Sequence, residues 1–402
     1  MIKFKYLIPI LFLVNEAVLG QTIKNGNWKG SIHYDGIEVP FNFEWSNVSS
    51  TQASIVISNG KERIPIHNVA INGDSLFIPL HVFDSELRIK YANGSMVGEW
   101  HKNYHSSQGP KFTATFNQPR FNKPSTHKPD IVKPKWKIEL QQPTGVLSNA
   151  VGLFNQSGDY ISGTLMTEVG DYRYFEGIVD KDSIRMSSFD GVHAFLLTCA
   201  YTNDKLTGTL YYEPGYSEKL IGQADNDASI QDPFSIITVE PGVYKPYYDI
   251  LTAGGEYDVI DKDSLDGKVV IIQLMGTWCP NSLDQTNYLT HWYRQQNPDK
   301  VKLIAVTYEP GNKAYSLKRI KKYKKDMNIP YPMYVGGSLS KGQAALAFPN
   351  MDRINAFPTL VIIDKQGYIR YIDSYFNGPA TGSYFQDFDK EFNTKTNELL
   401  NE

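Results

Sequence analysis

The sequence predicts a multidomain chain: an all-β N-terminal region followed by a C-terminal α/β domain. Three observations lead there. Residues 21–228 read as short alternating apolar and polar runs split by turn signals, without a long helical period. That region repeats itself at a spacing of 106 to 110 residues. From residue 251 onward, apolar strands alternate with amphipathic helices, an order that builds a central sheet covered on both faces.

The chain has 402 residues, enough for two or three domains with well-formed cores. Its net charge of −3 argues against a nucleic-acid partner. Residues 1–20 read as a secretory signal: Lys3 and Lys5 give the charged start, residues 7–14 the apolar core, and Val18, Leu19 and Gly20 precede Gln21. That core is too short to span a bilayer, and no other segment approaches transmembrane length. No cysteine follows the expected cut, so a lipid anchor is not expected. These features predict an exported, soluble protein.

Residues 21–118 and 135–228 form the two β-repeats. Trp28-Lys29 corresponds to Trp136-Lys137, Asp74-Ser75 to Asp182-Ser183, and Phe83-Asp84 to Phe189-Asp190. Each unit could be a barrel or a sandwich, or the two could be halves of one larger barrel. Residues 119–134, with Pro119, Pro124, Pro129 and Pro134, read as a semi-rigid linker, and residues 229–250 as a second linker.

In residues 251–402, the run 268–275 is almost continuously apolar and bounded by Gly267 and Gly276, as expected of a strand buried on both faces. A helix follows over 281–296, then a strand over 301–307, a helix over 312–327, a short strand near 332–335 and a short helix over 343–348. Residues 359–364 and 368–371 form a hairpin over Gln366-Gly367, and 383–400 the closing helix. Leu317, Ile320, Tyr323 and Met327 are the expected core stripe of the 312–327 helix; the interleaved Lys318, Arg319, Lys321, Lys322, Lys324 and Lys325 read as a solvated face.

Cys279 sits where the first buried strand stops and a helix begins, with Pro280 suited to the first helical turn. Unpaired N–H groups and the helix dipole stabilise a thiolate there, which predicts a thiol pKa below the free value of about 8.5. The alternative is a small buried hydrophobe. Trp278 could pack on a substrate or seal the strand end. Glu309, after the second strand, is either a proton acceptor through water or a solvated loop carboxylate. Cys199 lies in an apolar strand of the β-region, so pairing with Cys279, which needs Cα atoms within about 7 Å, is not expected. His101 and His105 lack further ligands, so no metal site is predicted. Nor is a cofactor.

Trp278-Cys279-Pro280-Asn281-Ser282 resembles the WCxxC motif of thioredoxin-like proteins, and its surroundings resemble the TlpA/ResA-like thiol-disulfide oxidoreductases of bacterial envelopes. Residues 356–367, from Ala356-Phe357-Pro358-Thr359 to Asp364-Lys365-Gln366-Gly367, resemble that family's Pro-Thr-strand-Asp-x-x-Gly segment. Gly378-Pro379-Ala380-Thr381-Gly382 is similar to a segment of Bacteroidetes-type envelope redoxins. The resemblance covers about residues 255–402. It implies a thioredoxin-like domain, Cys279 as the reacting thiol, and a cis Pro358 facing it. It also implies the periplasm or cell envelope of a Gram-negative bacterium. One departure matters: Ser282 stands where the family has its second cysteine, and a serine cannot resolve a mixed disulfide, although its hydroxyl could donate to the thiolate.

Two functions follow as expectations. The first is an exported oxidoreductase working by monothiol exchange from Cys279. Trp278, Pro280, Ser282, Pro358 and Glu309 would support it. Its partners would be disulfide- or thiol-bearing envelope proteins and an external thiol donor. A peroxidase variant is disfavoured, because Gly276 rather than threonine lies three residues before Cys279. The second is a non-catalytic binding or scaffold protein with a degenerate redoxin domain and a ligand-binding β-region.

Overall fold

A computed structural model describes residues 23–47, 53–80, 83–102, 108–122, 129–239, 248–252, 257–260, 265, 267–348 and 351–402. The predicted signal segment and His105 lie outside the described residues. The first β-unit is one nine-stranded antiparallel sheet: β1 (Gly26–Tyr34), β2 (Ile37–Ser46), β3 (Ser54–Asn59), β4 (Glu62–Ile66), β5 (Ala70–Asn72), β6 (Ser75–Leu80), β7 (Ser85–Ala92), β8 (Ser95–Lys102) and β9 (Lys111–Phe116). Its order is β4-β3-β2-β1-β9-β8-β7-β6-β5, and β4 does not pair with β5, so the sheet is open.

The second unit contains β10 (Lys135–Gln141), β11 (Leu147–Ser157), β12 (Tyr160–Thr167), β13 (Gly170–Asp171), β14 (Phe175–Asp180), β15 (Ser183–Phe189), β16 (Ala194–Thr202), β17 (Lys205–Glu213) and β18 (Tyr216–Ala224). Its order is β11-β10-β18-β17-β16-β15-β14-β12-β13, and β11 also pairs with β12. Eight strands therefore close into a barrel, which leaves no edge among them. Inward-facing Trp136, Leu165, Val179, Met186, Leu197, Leu210 and Leu220 fill it.

The repeat is visible atom by atom. Trp28 and Trp136 are both fully buried, and each indole Nε1 donates to a carbonyl just upstream, Lys24 at 3.0 Å and Lys133 at 2.7 Å. The amide of Tyr91 donates to Asp74, and that of Tyr201 to the corresponding Asp182. The two units differ in closure. The open sheet finishes its core on the barrel wall: Phe189, Ala194 and Leu196 join the first core, and Phe41 stacks on Phe189 at 4.3 Å. Of the arrangements that the sequence left open, the structure is one closed barrel and one open half-barrel leaning on it.

The C-terminal sheet has the order β20-β19-β23-β22-β21-β24-β25, from β19 (Tyr248–Thr252), β20 (Tyr257–Ile260), β21 (Val269–Met275), β22 (Val301–Glu309), β23 (Met333–Ser338), β24 (Thr359–Ile363) and β25 (Ile369–Asp373). Strands β21, β22 and β23 run parallel; β24 is antiparallel to β21 and β25 to β24. Every residue of β21 is buried, as its unbroken apolar run requires. Helices α1 (Pro280–Tyr293), α2 (Lys313–Asp326) and α4 (Ser383–Asn401) pack on one face through Leu289, Ile320, Tyr323, Phe388 and Phe392. The other face is covered by α3 (Lys341–Leu346) with Ile236, Ile237 and Phe348.

Candidate active site around Cys279

The strand-to-helix turn after β21 is pinned by the end of β22. The Thr277 amide donates to Glu309 Oε1 at 2.8 Å, and its hydroxyl to Oε2 at 2.7 Å. Trp278 Nε1 donates to the Tyr308 carbonyl at 2.9 Å. Gly276 permits that fold-back, because a Cβ there would lie 2.1 Å from the indole nitrogen. Trp278 thus seals the strand end, while its half-buried ring also lines a cleft.

Cys279 is the N-cap of α1, in extended conformation, with Pro280 in the first turn. Its side chain is a donor, Sγ to the Phe357 carbonyl at 3.3 Å, and the Phe357–Pro358 peptide is cis. Phe357 is held by stacking on Tyr308, ring centres 5.3 Å apart. Cys279, Trp278, Pro280, Ser282 and Pro358 therefore share one site.

The electrostatics correct one expectation. Burial pushes the Cys279 thiol pKa up. The Ser282 hydroxyl, the amides of Ser282 and Asn281, and the Arg173 charge pull it down without reversing the direction. The helix start does what its geometry predicts, but Cys279 is only 8% exposed, and desolvation of the charged form wins. Among the described residues the fully buried Ser282 hydroxyl makes no hydrogen bond of ordinary geometry, so its proton is available to the sulfur when the thiolate forms.

The barrel faces the sulfur across a cleft. The loop from β13 into β14 lies over the first turn of α1. Gly170, at φ +126°, comes so close that a Cβ would stand 2.5 Å from Asn281 Nδ2. Asp171 Oδ2 accepts from the Gly378 amide at 2.6 Å. Arg173, itself at φ +55°, is buried among three units. It donates to Glu62 of the open sheet at 2.5 Å and to the Pro280 carbonyl at 3.3 Å, and its guanidinium lies 3.1 Å from Asp284 of α1. Burial opposes its charge, but Asp284 and Glu62 hold it firmly protonated. Burial raises the Asp284 pKa to about 7 against the pull of Arg173. Between loop and helix remains a cleft of about 290 Å³ lined by Tyr172, Phe195, Tyr212, Trp278, Cys279 and Phe357 among others. Glu62, Arg173 and Asp284 were missed from sequence. Ion partners 111 positions apart leave no local pattern, and only the positive φ of Arg173 marks it, which the sequence does not reveal.

Two readings of the basic helix and the second strand change. β22 runs two residues further than predicted, so Glu309 is not a solvated loop carboxylate: it is 1% exposed, and burial raises its pKa. It touches Thr277, not the sulfur. Arg319 does not belong to a solvated face. It is buried, donates to Thr277 Oγ1 at 3.3 Å and lies 3.8 Å from Asp84 of the open sheet. Leu317 and Met327 of the expected stripe are only half-buried, whereas Ile320 and Tyr323 are core. Cys199 lies on β16 inside the barrel, unpaired, its pKa pushed by burial to about 12. His101 Nε2 lies 2.8 Å from Glu99. Among the described residues no helix is long and apolar enough to cross a membrane.

Residues 248–372 match the AhpC/TSA family. Over 40% of its length the chain is similar to a thiol:disulfide interchange protein of the thioredoxin family from Chlorobium tepidum, at 22% identity, with 99% of that chain covered and a TM-score of 0.28. Over 37% it is similar to a thiol-disulfide isomerase from Corynebacterium glutamicum, at 14% identity, with 94% of that chain covered and a TM-score of 0.27. No curated protein matches the chain. The family match, together with the β21–β25 topology, assigns the C-terminal domain a thioredoxin-like redoxin fold.

Proposed function

We propose that the protein is an exported thiol-disulfide oxidoreductase of TlpA/ResA type that works with one attacking thiol, Cys279. The observation that carries this is the sulfur's position: at the N-terminus of α1, 3.3 Å from the Phe357 carbonyl, on the wall of a cleft. As the thiolate, Cys279 attacks one sulfur of a substrate disulfide. The substrate S–S bond breaks, a mixed disulfide forms, and the second substrate sulfur leaves as thiolate. Ser282 donates to the attacking thiolate but cannot resolve the product. Another thiol must do so. A substrate cysteine completes an isomerisation without net redox change. An external thiol reduces the substrate, and on a second attack leaves as its own disulfide. Trp278 and Phe357 shape the cleft, Pro280 starts the helix, and Glu309 acts as a positioning residue through Thr277. The predicted signal segment supports action in the periplasm or cell envelope.

The test is trapping. Purified protein with Cys199→Ser is incubated with an unfolded protein carrying scrambled disulfides and quenched with acid. Mixed disulfides at Cys279, absent in Cys279→Ser, are expected; equal exchange by both proteins would refute the reading. The cover over the sulfur supports a second reading, a scaffold in which the redoxin domain only docks. A partner retained equally well by Cys279→Ser, with no trapped intermediate, would favour it.

A further inference from the structure

A second cleft, of about 600 Å³, opens at the barrel mouth beside the Cys279 cleft, and the two share Thr167, Val169, Tyr172 and Tyr212 as walls. Its floor is aromatic. Tyr172 and Tyr212 meet edge to face at 5.4 Å, as do Tyr212 and Tyr216. On β18, Glu218 alternates onto the same face as core residue Leu220, so it points inward at the mouth. It is 4% exposed. One carboxylate oxygen accepts from the Tyr216 hydroxyl at 2.8 Å; the other, Oε2, is buried without a hydrogen-bond partner.

A carboxylate sealed beside three tyrosines with one oxygen unsatisfied is costly: burial raises its pKa, and a proton or a cation must complete it. Among the described residues the walls carry two further acids, Glu168 and Glu213, and no lysine, arginine or histidine; Lys102 lies 3.8 Å from Glu213. Aromatic faces around an acid fit an ammonium or guanidinium through cation–π and ionic attraction together. Exposed Leu147 and Val169 on the rim offer apolar contact to a chain running across it. We infer that the barrel mouth is a specificity subsite for a lysine or arginine side chain of a peptide whose disulfide is presented to Cys279. The link to Cys279 rests on the oxidoreductase reading above; the cation subsite does not.

Binding is read with full-chain Cys279→Ser, where no covalent chemistry intervenes. The probes are three fluorescent hexapeptides identical except for one position, which is lysine, norleucine or glutamate. The lysine peptide should bind about tenfold tighter than the norleucine peptide, and the glutamate peptide weakest. Added salt should shrink the lysine advantage. Glu218→Gln should abolish that advantage while leaving norleucine binding unchanged. Equal affinity for lysine and norleucine peptides in the unsubstituted barrel overturns the inference, whether or not Glu218→Gln folds. Free lysine amide binding as tightly as the lysine peptide overturns its peptide part. A lysine preference without any trapped Cys279 disulfide sinks the oxidoreductase reading and keeps the subsite; trapped disulfides without a preference do the reverse.

Discussion

At the scale of single residues, Cys279 is held by two opposing influences. The first turn of α1 and the Ser282 hydroxyl favour the thiolate; burial opposes it and prevails. In a Cys199→Ser background, alkylation of Cys279 by iodoacetamide should therefore be slow at pH 7 and should rise only above the ordinary cysteine range of about 8.5. A midpoint below pH 8 would contradict this. Ser282→Ala removes a donor to the charged sulfur and should move the midpoint up by about one further unit. Some of this was legible. The strand, Cys279 and Pro280 could be placed from the order of apolar run, glycine and proline, because those rules are local; the cis Pro358 beside the thiol was implied only by the resemblance to the TlpA/ResA-like segment. The net pKa direction was not, since burial of Cys279 is set by tertiary packing that no local pattern shows. Arg319 was unreadable for a related reason: in a run of lysines and arginines, the one that turns inward is chosen by its partners.

The loop from β13 into β14 acts as a cap whose key is Arg173. Its guanidinium joins the barrel, Glu62 of the open sheet and Asp284 of α1 in one buried group. Replacing it with methionine leaves two carboxylates without their cation, so stability should fall by about 3 kcal/mol or more. If the loop covers the sulfur, alkylation of folded Arg173→Met at pH 7 should also be several-fold faster; unchanged alkylation would show that other atoms do the covering. Asp284 adds a pH signature. Its folded pKa, about 7, lies above its unfolded value of 3.8. The folded state then holds a proton that the unfolded state has lost, so this residue's contribution is present at acid pH and fades as pH rises towards and through 7. Unfolding free energy of Asp284→Asn minus that of the native protein should become more positive from pH 4 to 7, by at most about 1.4 kcal/mol per pH unit. A pH-independent difference would mean an Asp284 that ionises normally. No sequence pattern announces this cap: a two-residue strand and a half-turn carry too few residues to show a period.

At the scale of the whole molecule, the β-region and the redoxin domain share buried contacts rather than hanging on linkers. Phe83 and Val192, one from each β-unit, belong to the same apolar cluster as β21 and α4. Asn355 Nδ2 donates to the Glu168 carbonyl at 2.6 Å. Asp84 accepts from the Tyr315 hydroxyl of α2 at 2.5 Å and neighbours Arg319, which in turn reaches Thr277 in the turn before Cys279. The repeat arithmetic had already paired Phe83-Asp84 with Phe189-Asp190, yet it could not say that one copy would face the redoxin domain, since repetition describes a unit and not its neighbours. A chain bolted in this way should unfold as one body. Tryptophan fluorescence and far-ultraviolet circular dichroism should give coincident denaturant transitions, because tryptophans lie in all three units. Tyr315→Phe deletes one hydrogen bond to a carboxylate across the open-sheet boundary and should cost about 1.5 kcal/mol. The midpoint should fall with an unchanged denaturant slope, since the surface exposed on unfolding stays the same. If the variant instead splits the curve into two transitions, the open sheet folds independently of the redoxin domain, and Asp84 is only a surface contact between them.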